Sequence, residues 1–281
     1  MARTIVDIHP HIVSHDTERY PPAPLFGVRS KWSNERTANV EDLLAEMDRA
    51  GVHKAAIVHA STVYGFDNSL VADAVQRHPQ RCAGVGSIDL LAPDALATAR
   101  AWLDQGIVCF RIFTGGSTKK VDASHLDDPR SYPVWQLMAE RGLSMCINTD
   151  ATGVPAIIAL ARRFPQVPVL VDHFAQANGT AETVPPLFSM SDVPNIHLKL
   201  TSGVPRAIKK VQADGPAFLS QVVSAFGAHR IAWGSDWPNA QGSLTEILGE
   251  TQALISDLPE RDQDMILGGT ALTVYKTLQG D

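Results

Sequence analysis

The chain has 281 residues, 44% of them hydrophobic and 19% charged, with a formal net charge of -6. That composition excludes disordered and fibrous classes, and an acidic balance without a clustered basic stretch argues against nucleic acid as a partner. The length suits a single domain over residues 1–281, and in particular one (β/α)8 barrel, which typically needs about 250 residues.

The N-terminus runs directly into a strand-like stretch, Ile5-Val6-Asp7-Ile8-His9-Pro10-His11, with no apolar signal region before it. No apolar run reaches the length of a membrane span, so the expected setting is the cytoplasm and no membrane partner is expected. A Pro-rich stretch over 20–32, too irregular for a helix and too long for a tight turn, reads as a lid or substrate loop. Val40, Leu43, Leu44 and Met47 recur at helical spacing, and Gly51 stops that helix. A second strand is expected at 54–60, then a polar turn over 61–68 and a helix ending near His78-Pro79.

The alternation then repeats, which signals βα units and a parallel sheet. Strands are expected at 83–89, 107–113, 143–148, 167–173 and 196–201, with an eighth in Arg230-Ile231-Ala232-Trp233-Gly234-Ser235-Asp236. Helices are expected near 94–105, 134–141, 154–164, 217–226, 244–257 and 262–278. Eight such units predict an α/β fold of the (β/α)8 TIM-barrel type, with a doubly wound open sheet as the alternative. No Gly-x-Gly-x-x-Gly follows any strand, so a dinucleotide site has no support. Cys82, Cys109 and Cys146 each sit in a strand-like run without CxxC spacing and read as small buried hydrophobes in a reducing compartment.

In a parallel barrel all strand C-termini lie on one face, so residues far apart in sequence converge there. His9 and His11 stand two apart on the first strand and hence on one face; His173 ends the sixth strand and Asp236 the eighth. Imidazoles and a carboxylate at strand ends are suited to general acid/base work or to metal ligation. His59, His78, His125, His197 and His229 are expected to be ordinary core or surface residues. Arg111, within an apolar strand where an unpaired charge is costly, and Arg206, just past the seventh strand, could each grip a carboxylate in bidentate fashion, and Lys119 or Lys120 could assist. Ser61, Tyr64 and Asn68 are hydrogen-bonding candidates on the loop after the second strand.

Asp7-x-His9-x-His11, Asp172-His173 and Gly234-Ser235-Asp236-Trp237-Pro238 resemble the amidohydrolase superfamily, in the branch known as amidohydrolase 2. Further similarity to lactonases of that branch lies in 58–68, in Leu198-Lys199-Leu200-Thr201-Ser202-Gly203 with Arg206, and in the closing stretch 268–275, where Gly269 replaces a usual Asn. The resemblance implies a hydrolase opening a small anionic lactone: a pyrone dicarboxylate, a muconolactone or its sulfonated analogue, or a sugar-acid lactone. Asp236 would then activate water, His9, His11 and His173 would polarise the carbonyl, and Arg111, Arg206, Ser61, Tyr64, Asn68 and Asn148 would bind substrate. Many metal-bearing members carry a His where Asn148 stands, and no Lys ends the fourth strand, so no metal is expected. If one is present, it would be a single divalent ion such as zinc on His9, His11, His173 and Asp236. Alternatives are a zinc-dependent decarboxylase of the same branch, a lactone isomerase and a non-catalytic binding barrel; a homo-oligomer is compatible with all of them.

Overall fold

Period-two alternation sorts each strand into one face for the barrel interior and one for the helices. Val6, Ala56, Val58, Ala83, Val85, Cys109, Cys146, Leu170 and Ala232 form one buried cluster drawn from seven strands, which only the barrel interior can bring together. Their neighbours Ala55, Ile57, Ile107, Phe110, Ile147, Val169, Val171, Leu198 and Trp233 face the helices. The structure is a computed structural model and describes residues 3–114 and 122–279; Lys119 and Lys120 lie outside the described residues.

The strands are β1 (Val6–Asp7), β2 (Lys54–Val58), β3 (Cys82–Gly86), β4 (Ile107–Phe113), β5 (Ser144–Asn148), β6 (Val169–Val171), β7 (Ile196–Thr201) and β8 (Ile231–Gly234). They follow one another in a single parallel sheet in the order β1 to β8. The seam from β8 back to β1 is closed by individual hydrogen bonds: Ile8 N donates to the Trp233 carbonyl at 3.1 Å, Asp236 N to His9 at 3.0 Å and His11 N to Trp237 at 2.7 Å. The expected (β/α)8 TIM barrel is thus the observed fold, and the open-sheet alternative falls.

Thirteen α-helical segments occur among the described residues: α1 (Lys31–Glu35), α2 (Val40–Ala50), α3 (Ser61–Tyr64), α4 (Ser69–Arg77), α5 (Ala95–Asp104), α6 (Tyr132–Arg141), α7 (Val154–Arg163), α8 (Val184–Phe188), α9 (Gly203–Lys210), α10 (Gly215–Phe226), α11 (Leu244–Leu254), α12 (Glu260–Asp264) and α13 (Thr270–Val274). Helix α2 shows why local signals sufficed there. Asn39 and Asp42 form a reciprocal capping box at its start, and Gly51 ends it in the left-handed conformation at φ 70°.

Three features depart from the expected elements. The turn over 61–68 contains the helix α3. Helices α1, α8 and α9 lie where no helix is expected. The single helix expected over 262–278 is interrupted by a π-helical turn, Met265–Gly269. This turn presses on the start of the first strand so closely that a β-carbon at Gly268 would stand 1.9 Å from the Thr4 carbonyl oxygen. Tyr275 and Leu278, just beyond α13, then close the interior cluster beneath the strands.

Candidate active site

Beneath the mouth of the barrel lies a layer of buried charge. Asp172 follows β6 at 0% exposure; its carboxylate accepts from Arg111 Nε at 2.7 Å and the Cys146 thiol at 2.9 Å, and forms an ion pair with Lys199 Nζ at 3.1 Å. Burial pushes the Asp172 carboxyl up, but Lys199, His9 and Arg111 together outweigh it and hold it well below the usual carboxylate range. Lys199, fully buried on β7, and Arg111 on β4 are each raised against desolvation by the same carboxylate, so all three groups stay charged. Asp172 and Lys199 stand in the motifs that carry the family resemblance, but sequence alone attaches no contact to either. Only the register of β4, β6 and β7 brings them together.

Above this layer, the β8 to β1 seam sets the candidate site residues. Asp7 Oδ1 accepts from His9 N at 3.0 Å and from Ser235 N at 2.8 Å, so one carboxylate staples both strands at the level of the site. Burial pushes the Asp7 carboxyl up to about 6, the hydrogen bonds of Ser235 and His9 opposing it. A β-carbon at position 234 would lie 2.5 Å from the His9 β-carbon, so only glycine lets β8 come this close to β1. Asp236 then sits in the left-handed region at φ 59°, and His173, Phe174, Ala175 and Gln176 follow one another there at φ 50° to 67°. Non-glycine residues are disfavoured in that conformation by roughly 1–2 kcal/mol each, so the two segments hold His173, Gln176 and Asp236 at the cavity against local preference.

His11 Nδ1 lies 2.7 Å from the Val58 carbonyl, which can only accept, so Nδ1 carries the proton and Nε2 is left as a lone pair. That lone pair lies 3.3 Å from Asp236 Oδ1, itself an acceptor. His9 Nε2 is 4.0 Å from the same oxygen and has no hydrogen-bond partner. His11 Nε2 and Asp236 Oδ1 therefore face each other as acceptors, with His9 Nε2 unpartnered beside them, and a proton or a cation is needed between the first two. His9 is pushed well below the usual imidazole range, first by burial, with Asp172 opposing, and is neutral. Its Nδ1 lies 3.5 Å from Asp172 Oδ1 and 3.4 Å from Lys199 Nζ; with a cation at Nε2, Nδ1 would carry the proton and donate to Asp172. The Asp236 carboxyl is raised by burial but lowered more when a proton bridges it to His11, and by His173, so it is ionised; its Oδ2 accepts from Asn239 at 2.9 Å.

These contacts split the four-residue ligand set expected from sequence. His9, His11 and Asp236 form one cluster of potential metal ligands, while His173 groups with His9 and Asp172 instead. The second cluster fits a cation poorly, because Asp172 already faces Arg111 and Lys199. The first fits one divalent ion. Asn148 ends β5 in the cavity wall. An amide there adds no good ligand for a second ion.

A cavity of about 450 Å³ opens above the site. His11, His173, Asp236, Arg111, Ser61, Asn148 and Trp32 line it, as does His59, which sequence reasoning did not place there. The Trp32 ring lies 5.6 Å from that of His11, so the expected substrate loop over 20–32 does reach the site through its last residue. The His173 ring is anchored by a 2.5 Å bond between Nδ1 and Thr201 Oγ1.

Three expected substrate contacts are not brought to the cavity. Arg206 lies on α9, where it donates to both carboxylate oxygens of Glu250 at 2.9 and 3.2 Å and to the Gln241 carbonyl. Tyr64 turns its hydroxyl to Ser14 N at 2.9 Å. Asn68 is fully buried and clamps β3, accepting from Ser87 N at 2.7 Å and donating to the Ser87 carbonyl at 3.0 Å. Each has a sufficient structural role where it stands.

Residues 6–277 match the amidohydrolase 2 family model, whose description is amidohydrolase. The chain belongs to that family. Among curated relatives it is 28% identical over 245 residues to an L-fucono-1,5-lactonase from Burkholderia ambifaria, covering 83% of this chain and 80% of that protein. It is 27% identical over 212 residues to a 4-sulfomuconolactone hydrolase from Rhizobium radiobacter, covering 72% and 66%. Solved structures give the fold: a Pseudomonas putida protein assigned as a 2-pyrone-4,6-dicarboxylic acid hydrolase superposes with a TM-score of 0.78 at 18% identity over 100% of both chains. A zinc-bound amidohydrolase from Burkholderia multivorans gives 0.77 at 19% identity over 97% of this chain and 99% of the other. This amidohydrolase is accordingly a lactonase-like hydrolase. No helix among the described residues is long and apolar enough to cross a membrane.

Proposed function

We propose that this amidohydrolase opens a small lactone by adding water to its ring ester. The observation that carries the reading is the meeting of His9 Nε2, His11 Nε2 and Asp236 Oδ1 beside the cavity. Asp236, ionised and held through Oδ2 by Asn239, accepts a proton from water as the water oxygen bonds to the carbonyl carbon. The ring C–O bond then breaks, and the proton passes from Asp236 to the departing ring oxygen, leaving a hydroxy acid. His173 and Arg111 border the cavity and are placed to stabilise the developing oxyanion. His9, His11 and Asp236 would hold a single divalent ion such as zinc, which would supply Lewis-acid polarisation of the carbonyl. Asp172 keeps His9 oriented for that task.

Metal analysis beside a lactone hydrolysis assay tests both parts. About one divalent ion per chain is expected, with turnover lost on exhaustive chelation and restored by zinc. Full turnover by metal-free protein would overturn the ion and leave a proton between His11 and Asp236 to polarise the carbonyl. Failure to hydrolyse any lactone would overturn the reaction itself.

A further inference from the structure

Asp236 stands at φ 59° at the start of the turn that follows β8. A residue in that disfavoured conformation keeps its place only where the surrounding bonds over-determine it. Inside the turn, Ala240 N donates to the Asp236 carbonyl at 2.7 Å and Trp237 N to Ser235 Oγ at 3.0 Å. The next three carbonyls all accept from outside the turn. Trp237 takes its bond from His11 N, whereas Pro238 and Asn239 take theirs from one side chain, Arg36, whose Nε and Nη2 lie 2.8 and 3.0 Å away. Those two nitrogens share an edge of the planar guanidinium, which suits two neighbouring carbonyls as a lysine ammonium does not. Nη1 is left to face Glu35 at 3.4 Å.

The side chain of Asn239 carries this placement to the acid, because its Nδ2 donates to Asp236 Oδ2 at 2.9 Å. Arg36 thus fixes the backbone from which that amide reaches the carboxylate. At its other end Arg36 closes α1, its own N–H donating to the Trp32 carbonyl at 2.8 Å. Trp32 lines the cavity, and the start of α1 is fastened to α3 by Ser30 Oγ, which accepts from Thr62 at 2.9 Å and donates to Ser33 Oγ at 3.0 Å. Arg36 itself does not line the cavity. It joins the Trp32 wall to the turn that bears Asp236 and Asn239, about 200 positions later in the chain.

We propose that Arg36 is a positioning residue for Asp236, holding the carboxylate against His11 through the Pro238 and Asn239 carbonyls and the Asn239 amide. Its effect on turnover rests on the lactonase reading; its effect on metal binding rests only on the His9, His11 and Asp236 cluster. Arg36→Met keeps the aliphatic stem and removes the donors, and Arg36→Lys returns one donor. These variants, Asn239→Ala and the double variant Arg36→Met with Asn239→Ala are to be compared with wild type in two measurements. One is the zinc affinity of metal-free protein, by competition with a chromophoric chelator; the other is kcat and KM on a panel of γ- and δ-lactones at saturating zinc. Arg36→Met is expected to weaken zinc binding about tenfold and to lower kcat about tenfold, with KM within about twofold of wild type. Arg36→Lys should recover part of both losses. The double variant should be no worse than Asn239→Ala, because the two residues act along one chain of contacts. Should Arg36→Met not fold, Arg36→Lys carries the same comparison. Zinc affinity and kcat both unchanged, a loss confined to KM, or losses that multiply in the double variant overturn the positioning role and leave the hydrolase intact. The expected zinc losses in a protein that opens no lactone overturn the reaction and leave the positioning role. Wild-type protein that neither binds zinc nor hydrolyses any lactone overturns both.

Discussion

Asp172 and Asp236 are both acids at strand ends, both buried and both ionised, yet they are kept so by opposite arrangements. Asp172 is enclosed by Arg111, Lys199 and Cys146, cationic or thiol donors that take up its oxygens and leave it nothing to exchange with a substrate. Asp236 is met by imidazole nitrogens and one amide, and it opens on the cavity. A carboxylate saturated by fixed cations serves as a brace. One whose neighbours are weak donors, or acceptors themselves, keeps a lone pair for a proton or an ion. Depth in the barrel separates the two tasks.

Removing either acid should therefore fail differently. Asp172→Ala strands two buried cations and is expected to lower stability by about 3–5 kcal/mol in urea unfolding. A loss below about 1 kcal/mol would show that water or a neighbour replaces the carboxylate and that the brace is dispensable. Asp236→Asn preserves shape but cannot take a proton; kcat should fall by about a hundredfold or more with the melting temperature nearly unchanged. Near-normal turnover in that variant, with activity lost on changing Asp172 or Asp7, would transfer the base to another acid. The smallest effect is expected from Arg206→Gln. Its ion pair with Glu250 is at the surface, so stability should change by less than about 1 kcal/mol and KM should not move, whatever the charge of the lactone. A large KM increase confined to anionic lactones would return Arg206 to substrate binding.

The barrel was legible because each βα unit carries its own period and its own stop signals, as Asn39, Asp42 and Gly51 do for α2. The convergence of His9, His11, His173 and Asp236 was legible for a related reason: strand ends share one face. Arg206 was misplaced because α9 was not foreseen. A residue read as a loop beside the mouth in fact lies on a helix, within reach of Glu250, which is 44 positions away. Tyr64 and Asn68 are of suitable type and in the right loop, but their partners, Ser14 and Ser87, come from other strands' connections. The Lys199 to Asp172 contact depends on strand register, which leaves no periodic trace.

The seam also has a consequence in time. Asp7 and Ser235, joined by a 2.8 Å hydrogen bond, are separated by 228 positions. At ribosomal rates of about 5–20 residues per second, the first strand emerges roughly 10 to 50 seconds before its partner exists. For that interval the nascent chain carries His9 and His11 with no carboxylate between them and a sheet edge still open. A product released before residue 236 has most of the barrel and lacks the carboxylate proposed as its proton acceptor, so on that proposal prematurely ended chains are inactive.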